Sequence, residues 1–443
     1  MARDRPPDPA LFAPDYQEIP HWWEAAPRPV SDDAMLPPRA DVAIVGSGIT
    51  GLNAAIPLAR AGRHVVVLDA EDAGAGASSR NLGFVGQVLK HEFGTLVRRL
   101  GLEPARRIYA EMQAAFDAVG EVVRGENIDC QLEVCGRLIL AASAGQLAAL
   151  RQELALRKQH LGKHHTMLST ADLHQEIATD RFVGGALVPD LAAIHPGLYH
   201  LGLLAAARAA GAAVHGRTAV ESITRGGTGF TLATSRGPIA DREVIVATNG
   251  YTDAGTPGWI RRRVLPFDAY IMATEQLPPE RIAALLPGHR TFIDCNHNLF
   301  SFRRSPDGKR LLFCGLTGTP TPSLRHRAAS LHALACTVLP GMAELRIGRA
   351  WTGNCAGTFD LYPHMALHNG IHFAGGYCFA GVPMGTYLGR KLAWRVLGRP
   401  EAATAFAERR FPTIPLYTGR AWFVPQVMRA YDWMDARAGG RLL

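Results

Sequence analysis

The spacing of apolar residues changes period several times along the chain, and each change marks an element. Asp41–Val45 is a short β-branched run. A glycine turn follows, and Leu52–Gly62 then carries apolar residues at helical spacing up to a C-capping glycine. Pro57 inside that segment should kink or loosen the helix. His64–Ala70 is a second strand. Residues from about 100 to 180 read as mostly helical, with long helices over 107–123 and 145–161 and one strand candidate at Arg137–Ala141. Helical spacing returns at 198–211 and is followed by a strand at 212–216, a strand pair and the apolar strand 242–250. Strands are predicted at 264–276, 299–304 and 310–315. The turn Ser305-Pro306-Asp307-Gly308 joins the last two as a hairpin. A helix is predicted over 323–338, and the chain closes with strand, glycine-rich loop and helix over 370–398.

Composition narrows the class. The 443 residues are 47% hydrophobic and 19% charged, enough for two or more cores of an ordinary globular protein. No run reaches the roughly 18 apolar residues of a membrane helix, and the N-terminus lacks a secretory apolar run, so a cytoplasmic protein with no membrane span is expected. The net charge of +8 is scattered over arginines without a nucleic-acid reader motif, which argues against a nucleic-acid partner. Seven cysteines without a C-x-x-C give neither a zinc ribbon nor a redox dithiol. His160, His164 and His165 sit on a charged stretch with no matched ligand, and no metal site is predicted. The Pro-rich arm 1–38 holds Trp22 and Trp23, which should pack on the main body.

Gly46-Ser47-Gly48-Ile49-Thr50-Gly51 fits G-x-G-x-x-G, follows a predicted strand and opens a predicted helix. Gly46 permits the turn, Gly48 the approach of a pyrophosphate, and Gly51 close helix–strand packing. The helix N-terminus offers free N–H groups and a positive dipole end to phosphate. Asp69 ends the next strand, where an acid accepts hydrogen bonds from ribose hydroxyls and disfavours a 2′-phosphate. FAD or NAD is therefore favoured over NADP.

The stretch Gly74–Gly83, GAGASSRNLG, resembles the G-A-S-x-R-N-x-G segment of the D-amino-acid oxidase and glycine oxidase superfamily. Pro189–Pro196, Ala247-Thr248-Asn249-Gly250, Trp351-Thr352-Gly353 with Asp360 and Pro363, and the closing GGYCFAGVPMG match further family segments in order. Within the superfamily, the His21-Trp22-Trp23 motif, the hairpin 299–315 and the segment 411–423 are similar to the gamma-glutamylputrescine oxidase branch. The resemblance implies an α/β fold. A Rossmann-like FAD-binding domain assembled from 39–100, 186–263 and 345–400 would carry an α+β substrate domain with an antiparallel sheet, 101–185 and 264–344, between the arm and a helical tail, 401–443. It implies non-covalent FAD held by Gly46, Gly48, Ile49, Thr50, Gly51, Asp69, Ala70, Gly76, Ala77, Ser78, Ser79, Arg80, Asn81, Leu82, Val220, Ala247, Thr248, Asn249, Gly250, Trp351, Gly376, Tyr377, Gly381, Val382, Pro383 and Met384.

The implied activity is oxidation of a C–N bond of a small amine or amino-acid-like substrate, with hydride transfer to the flavin and hydrolysis of the imine. Oxygen or another acceptor would complete the cycle. Tyr270, Arg303, Lys309 and Trp351 are the catalytic candidates, with Phe300, Phe302 and Tyr377 as further pocket candidates. Lys309 lies near the place where oxidase members keep a lysine beside the flavin. Phe300 and Phe302 alternate on one strand face and read equally as core. Two departures bear on substrate: Cys355 stands where glycine oxidase-like members have the carboxylate-binding arginine, and Pro383 where sarcosine oxidase-like members have a lysine. A thiol cannot form the bidentate pair with an α-carboxylate. Cys355 and Cys378 also raise covalent flavin attachment, against which a buried thiol is the plainer reading. The alternatives are a D-amino-acid or N-methyl-amino-acid dehydrogenase and a non-catalytic FAD-binding or scaffold protein.

Overall fold

The computed structural model describes residues 6–30, 34–87 and 89–439; the outermost residues of the predicted arm and tail lie outside them. Two large sheets organise the chain. The first is built on the parallel strands Ile239–Val246, Arg39–Val45, Val65–Leu68 and Ala213–His215. Ile371–Gly375 also pairs in parallel with Ile239–Val246, and the hairpin Val220–Gly226/Gly229–Thr234 extends one edge. The central strands are apolar on both faces: helices cover one, and on the other Ala43, Val66 and Val244 pack with Phe230, Leu232, Phe373 and Phe411. Ile49–Arg60, Pro196–Ala209 and Gly381–Val396 contribute Leu52, Leu203 and Leu388 to the same core as Ile44 and Val67. The fingerprint helix runs through Pro57 to Arg60, where a kink was predicted.

Nine strands form the second sheet. Its order is Phe12–Gln17, Ile347–Thr358, Val264–Thr274, Leu311–Gly315, Ser301–Arg304, Thr291–Asp294, Arg137–Ala141, Gly184–Val188, Thr166–Ser169. The sheet is mixed rather than antiparallel throughout, since Phe12–Gln17 with Ile347–Thr358, and Thr291–Asp294 with Arg137–Ala141, are parallel pairs. Residues 186–188 of the strand Gly184–Val188, and the strand Ile347–Thr358, from segments assigned above to the FAD-binding part, hydrogen-bond within this sheet. One face packs on the helix Leu324–Val338 through Tyr270, Met272, Phe300, Phe302 and Phe313. The opposite face looks toward the first sheet's loops.

The arm packs on the body through both tryptophans. Trp22 is fully buried against Leu82, Ile271 and Trp351. The Trp23 indole N–H donates to Ser79 Oγ at 2.9 Å. Among the described residues no helix is long and apolar enough to cross a membrane.

Candidate active site

The glycine turn closes as its residue types require. Gly46 has φ +105°, a conformation that an L side chain rarely adopts. A Cβ on Gly51 would stand 1.9 Å from the Gly46 carbonyl oxygen, so only glycine lets helix and strand touch here. A Cβ on Gly48 would meet Ser78 Oγ at 2.7 Å, and that hydroxyl accepts the Ile49 N–H at 2.9 Å. The segment 74–82 is thereby tied to the first turn of the helix. Asp69 is drawn to the same loop: its Oδ2 accepts the Ser47 N–H at 2.8 Å and the Ser47 hydroxyl at 2.6 Å. Burial pushes this carboxyl's pKa up, opposed by the Ser47 hydrogen bonds. His200 braces the loop from behind. Arg28 donates to its Nδ1 at 3.0 Å, which leaves Nε2 to donate to the Ser47 carbonyl at 2.8 Å. Burial, helped by Arg28, holds the His200 pKa down at about 4.

A second glycine loop meets the first. The Tyr377 and Thr50 hydroxyls are 2.8 Å apart, and a Cβ on Gly389 would stand 2.4 Å from the Thr50 carbonyl oxygen. The helix Gly381–Val396 thus crosses the fingerprint helix at glycine distance. Ala380 supplies no side-chain cap to it, and Gly381 and Val382 at its start border the same space as Gly48 and Ile49 of the fingerprint helix. Between the two helix ends, the Thr248 hydroxyl is buried without a partner among the described residues, while Asn249 Oδ1 accepts the Gly376 N–H at 2.9 Å.

These elements enclose one continuous cavity of about 710 Å³. Glu71, Thr218, Val220 and Ile223 line one end, and both glycine loops line the middle. Ile271, Ile293, Leu299, Ser301 and Cys314 from the nine-stranded sheet, with Phe84 and Arg137, line the other end. Two helix N-termini, a backbone cradle that a Cβ would fill at Gly48, and an orphaned hydroxyl at Thr248 fit a dinucleotide diphosphate. The apolar sheet end fits a flat ring and a small organic ligand. The thiols there are held protonated by burial, Cys314 and Cys355 at about 12 and Cys378 at about 11.

Most of the predicted cofactor set lines the cavity: Gly46, Gly48, Ile49, Thr50, Asp69, Ala70, Gly76, Ala77, Ser78, Arg80, Asn81, Leu82, Val220, Ala247, Thr248, Asn249, Tyr377, Gly381, Val382 and Pro383. Gly51, Ser79, Gly250, Gly376 and Met384 stand behind the lining. Gly250 allows close approach of the Cys355 carbonyl, and Ser79 donates to Gly74 O at 2.5 Å.

The four catalytic candidates stand off this lining. Tyr270 alternates with Ala269 and Ile271; those two face the cavity, while Tyr270 points to the helix side, its hydroxyl 3.3 Å from Asp268 Oδ2. Phe300 and Phe302 share that buried face. Trp351 stands opposite Ile271 but packs under the arm, its indole N–H donating to Arg80 O at 2.7 Å. Arg303 is buried and donates to Ile194 O at 3.1 Å and Leu82 O at 3.4 Å, a backbone brace rather than a free cation. Lys309 is exposed in the hairpin turn, at the opposite end of the strand pair from Ser301 and Cys314.

Sequence reasoning missed Phe84, Tyr251, Cys314 and Arg137. Arg137 had a signal: it is an arginine opening the apolar run Leu138–Ala141. Only 2% exposed, it donates from Nε to Thr291 Oγ1 at 3.1 Å and lies over the Phe84 ring at 4.7 Å.

Residues 41–395 match the profile of the DAO family, described as FAD dependent oxidoreductase. The chain belongs to this family. Gamma-glutamylputrescine oxidoreductase of Escherichia coli K12 is 30% identical over 388 residues, which cover 87% of this chain and 89% of that protein. Glycine oxidase of Geobacillus kaustophilus is 25% identical over 373 residues, 80% of this chain and 92% of that protein. Among solved structures, that of glycine oxidase from Geobacillus kaustophilus superposes with a TM-score of 0.68 at 22% identity, over 86% of this chain and 99% of that one. L-proline dehydrogenase from P. horikoshii gives 0.67 at 16% identity, over 89% and 99%. At these identities the superpositions establish the fold alone, and it is the DAO fold. The chain is accordingly an FAD-dependent oxidoreductase.

Proposed function

We propose that this chain oxidises a C–N bond of a small amine or amino-acid-like substrate bound at the sheet end of the cavity, with FAD lying non-covalently along the two glycine loops. The observation that carries the reading is the single cavity, which joins a diphosphate cradle at Gly46–Ile49 to an apolar chamber walled by Ile271, Ile293 and Leu299. The name of the Escherichia coli relative, a gamma-glutamylputrescine oxidoreductase, supports an amine substrate. FAD, when bound, supplies a two-electron acceptor beside that chamber.

The chain's own residues prepare the substrate. An apolar wall disfavours the ammonium form, so an amine entering the chamber is held neutral, the form that can be oxidised. The thiols of Cys314 and Cys355 stay protonated, so among the described residues the chamber carries no anionic side chain that would retain the proton on nitrogen. The N-terminus of Gly381–Val396 directs its dipole at the cavity through Gly381 and Val382 and stabilises negative charge that gathers there. Trp22 and Trp23 close the outer side of the loop 74–82 and keep water from it.

The test is an anaerobic titration of the FAD-loaded protein with amines, N-methyl amino acids and D-amino acids. Bleaching of the flavin band by amines supports the reading. Bleaching by α-amino acids alone would favour the amino-acid dehydrogenase, and no bleaching by any of them would refute an oxidoreductase of this substrate class. Reoxidation in air against reoxidation by an added quinone identifies the acceptor.

A further inference from the structure

We propose that Arg137 is a specificity-determining residue that binds a carboxylate on the substrate, at a point remote from the position where glycine oxidase-like relatives grip the α-carboxylate. This rests on the reading of the cavity as an amine-oxidising site.

Arg137 is enclosed at 2% exposure, and its Nη2 is buried with no hydrogen-bond partner among the described residues. Nε is used by Thr291 Oγ1, while the guanidinium borders the cavity beside Phe84 and Gly86. The charged group that acts on it most closely, apart from the Cys135 thiol, is Arg303, another cation. A buried guanidinium without a counter-ion is costly unless something supplies the missing acceptor. Arg303, two strand steps away, shows the contrast: its Nη1 is used by Ile194 O and Leu82 O.

Charge within the cavity selects the ligand class. The acids on its lining are Asp69, Glu71 and Asp253. Asp69 holds Ser47, while Asp253 caps the Gly255 N–H beside Val220; all three belong to the dinucleotide end. Arg80, the other lining arginine, is engaged by Ala75 O at 2.5 Å and Thr352 O at 3.0 Å. Among the described residues, Arg137 is the one formal charge on the lining at the sheet end. Among the described residues a second ammonium of a polyamine meets no carboxylate there, whereas a carboxylate meets the edge of a planar guanidinium whose Nη1 lies toward Gly86 on the lining. Cys355 and Arg137 are separated by five strand steps in the sheet order, about 24 Å along the sheet at ~4.8 Å per step. That separation rules out the glycine oxidase-like grip on an α-carboxylate, whereas Ile293 of the chamber wall is one strand step across and two residues along from Arg137, so the ligand class is an amine whose carboxylate lies several bonds from the oxidised carbon.

The test uses the FAD-loaded full chain and two readouts. Perturbation of the flavin spectrum gives affinities for pentanoate against pentanamide, and anaerobic bleaching compares 5-aminopentanoate with pentylamine. The carboxylates are expected to bind roughly ten- to a hundred-fold more tightly than their neutral matches. Arg137→Met is expected to abolish that gap with flavin content unchanged. Equal affinity for acid and amide in the wild type overturns the proposal, as does a gap retained by Arg137→Met. Loss of FAD in Arg137→Met would assign the guanidinium to the cofactor and also overturn it. If the variant does not fold, the wild-type comparison decides alone. Carboxylate binding without bleaching by any amine would leave the Arg137 assignment standing and sink the oxidase reading; bleaching indifferent to the carboxylate would do the reverse.

Discussion

Gly51→Ala perturbs the account at its narrowest point. The new methyl would stand 1.9 Å from the Gly46 carbonyl oxygen and 3.2 Å from Ile44 Cγ2. An ordinary contact to oxygen needs about 3.4 Å, so helix and strand must separate by roughly 1.5 Å, at a cost of about 1–3 kcal/mol for overpacking. Neither neighbour is a flexible chain end: one is backbone, and the other belongs to the core strand Arg39–Val45. The shift would carry the N–H groups of Gly48 and Ile49 away from the diphosphate, and losing one charge-assisted hydrogen bond there costs about 1.5–3 kcal/mol. FAD affinity should therefore fall roughly ten- to a hundred-fold. Gly62→Ala is the control, since it also has positive φ, +78°, but nothing lies within 4 Å of its Cβ. It should lose some stability and keep its FAD affinity. The assay is reconstitution of apoprotein with FAD followed by flavin fluorescence. Gly51→Ala binding FAD as tightly as Gly62→Ala would refute the argument.

Four further outcomes follow from the same geometry. His195 and His200 are each held at about 4 in the folded chain, chiefly by burial, against 6.5 when free. Between those values the unfolded chain takes up protons that the folded chain refuses, so stability falls as pH drops from 6.5 toward 4; thermal melts should show that slope, reduced in His200→Gln. Arg303→Met leaves the Ile194 and Leu82 carbonyls without their donor and should cost about 2–4 kcal/mol in urea unfolding, with the preference for carboxylate-bearing ligands retained. Lys309→Met, exposed and off the cavity, should change flavin reoxidation less than two-fold by stopped flow, and a ten-fold loss would return Lys309 to the site. Acid precipitation should release all flavin to the supernatant, because the Cys355 and Cys378 thiols are held protonated; a yellow pellet would indicate a covalent link.

The local signals in the sequence led far into the cofactor cradle. Gly46, Gly48 and Gly51 could be read because each answers a steric demand that a string of residue types records. Ser78, Arg80 and Asn81 entered through resemblance, and the structure adds what they hold: the Ile49 N–H, the Thr352 carbonyl and the turn at Gly83. The substrate chamber was less legible. A period-two strand has two faces, and sequence alone does not say which face meets the cavity. Tyr270, Phe300 and Phe302 were drawn by aromatic character, yet Ile271 and Ser301, one residue away, line the chamber, with Cys314 paired across from Ser301. Arg137 was hidden for another reason: its role depends on Thr291 and on the stretch holding Phe84 and Gly86, two segments far from it and from each other in the chain.

The central claim is that one cavity carries the diphosphate at Gly48–Ile49 and the reacting end against Ile271 and Cys314. The most direct measurement is a crystal structure of the chain grown with FAD. The account predicts diphosphate density on the N–H groups of both helix ends, near Thr248 Oγ1, with the ring system directed toward the nine-stranded sheet. FAD ordered at any other place, or reversed so that its ring lies beside Glu71 and Val220, would contradict it.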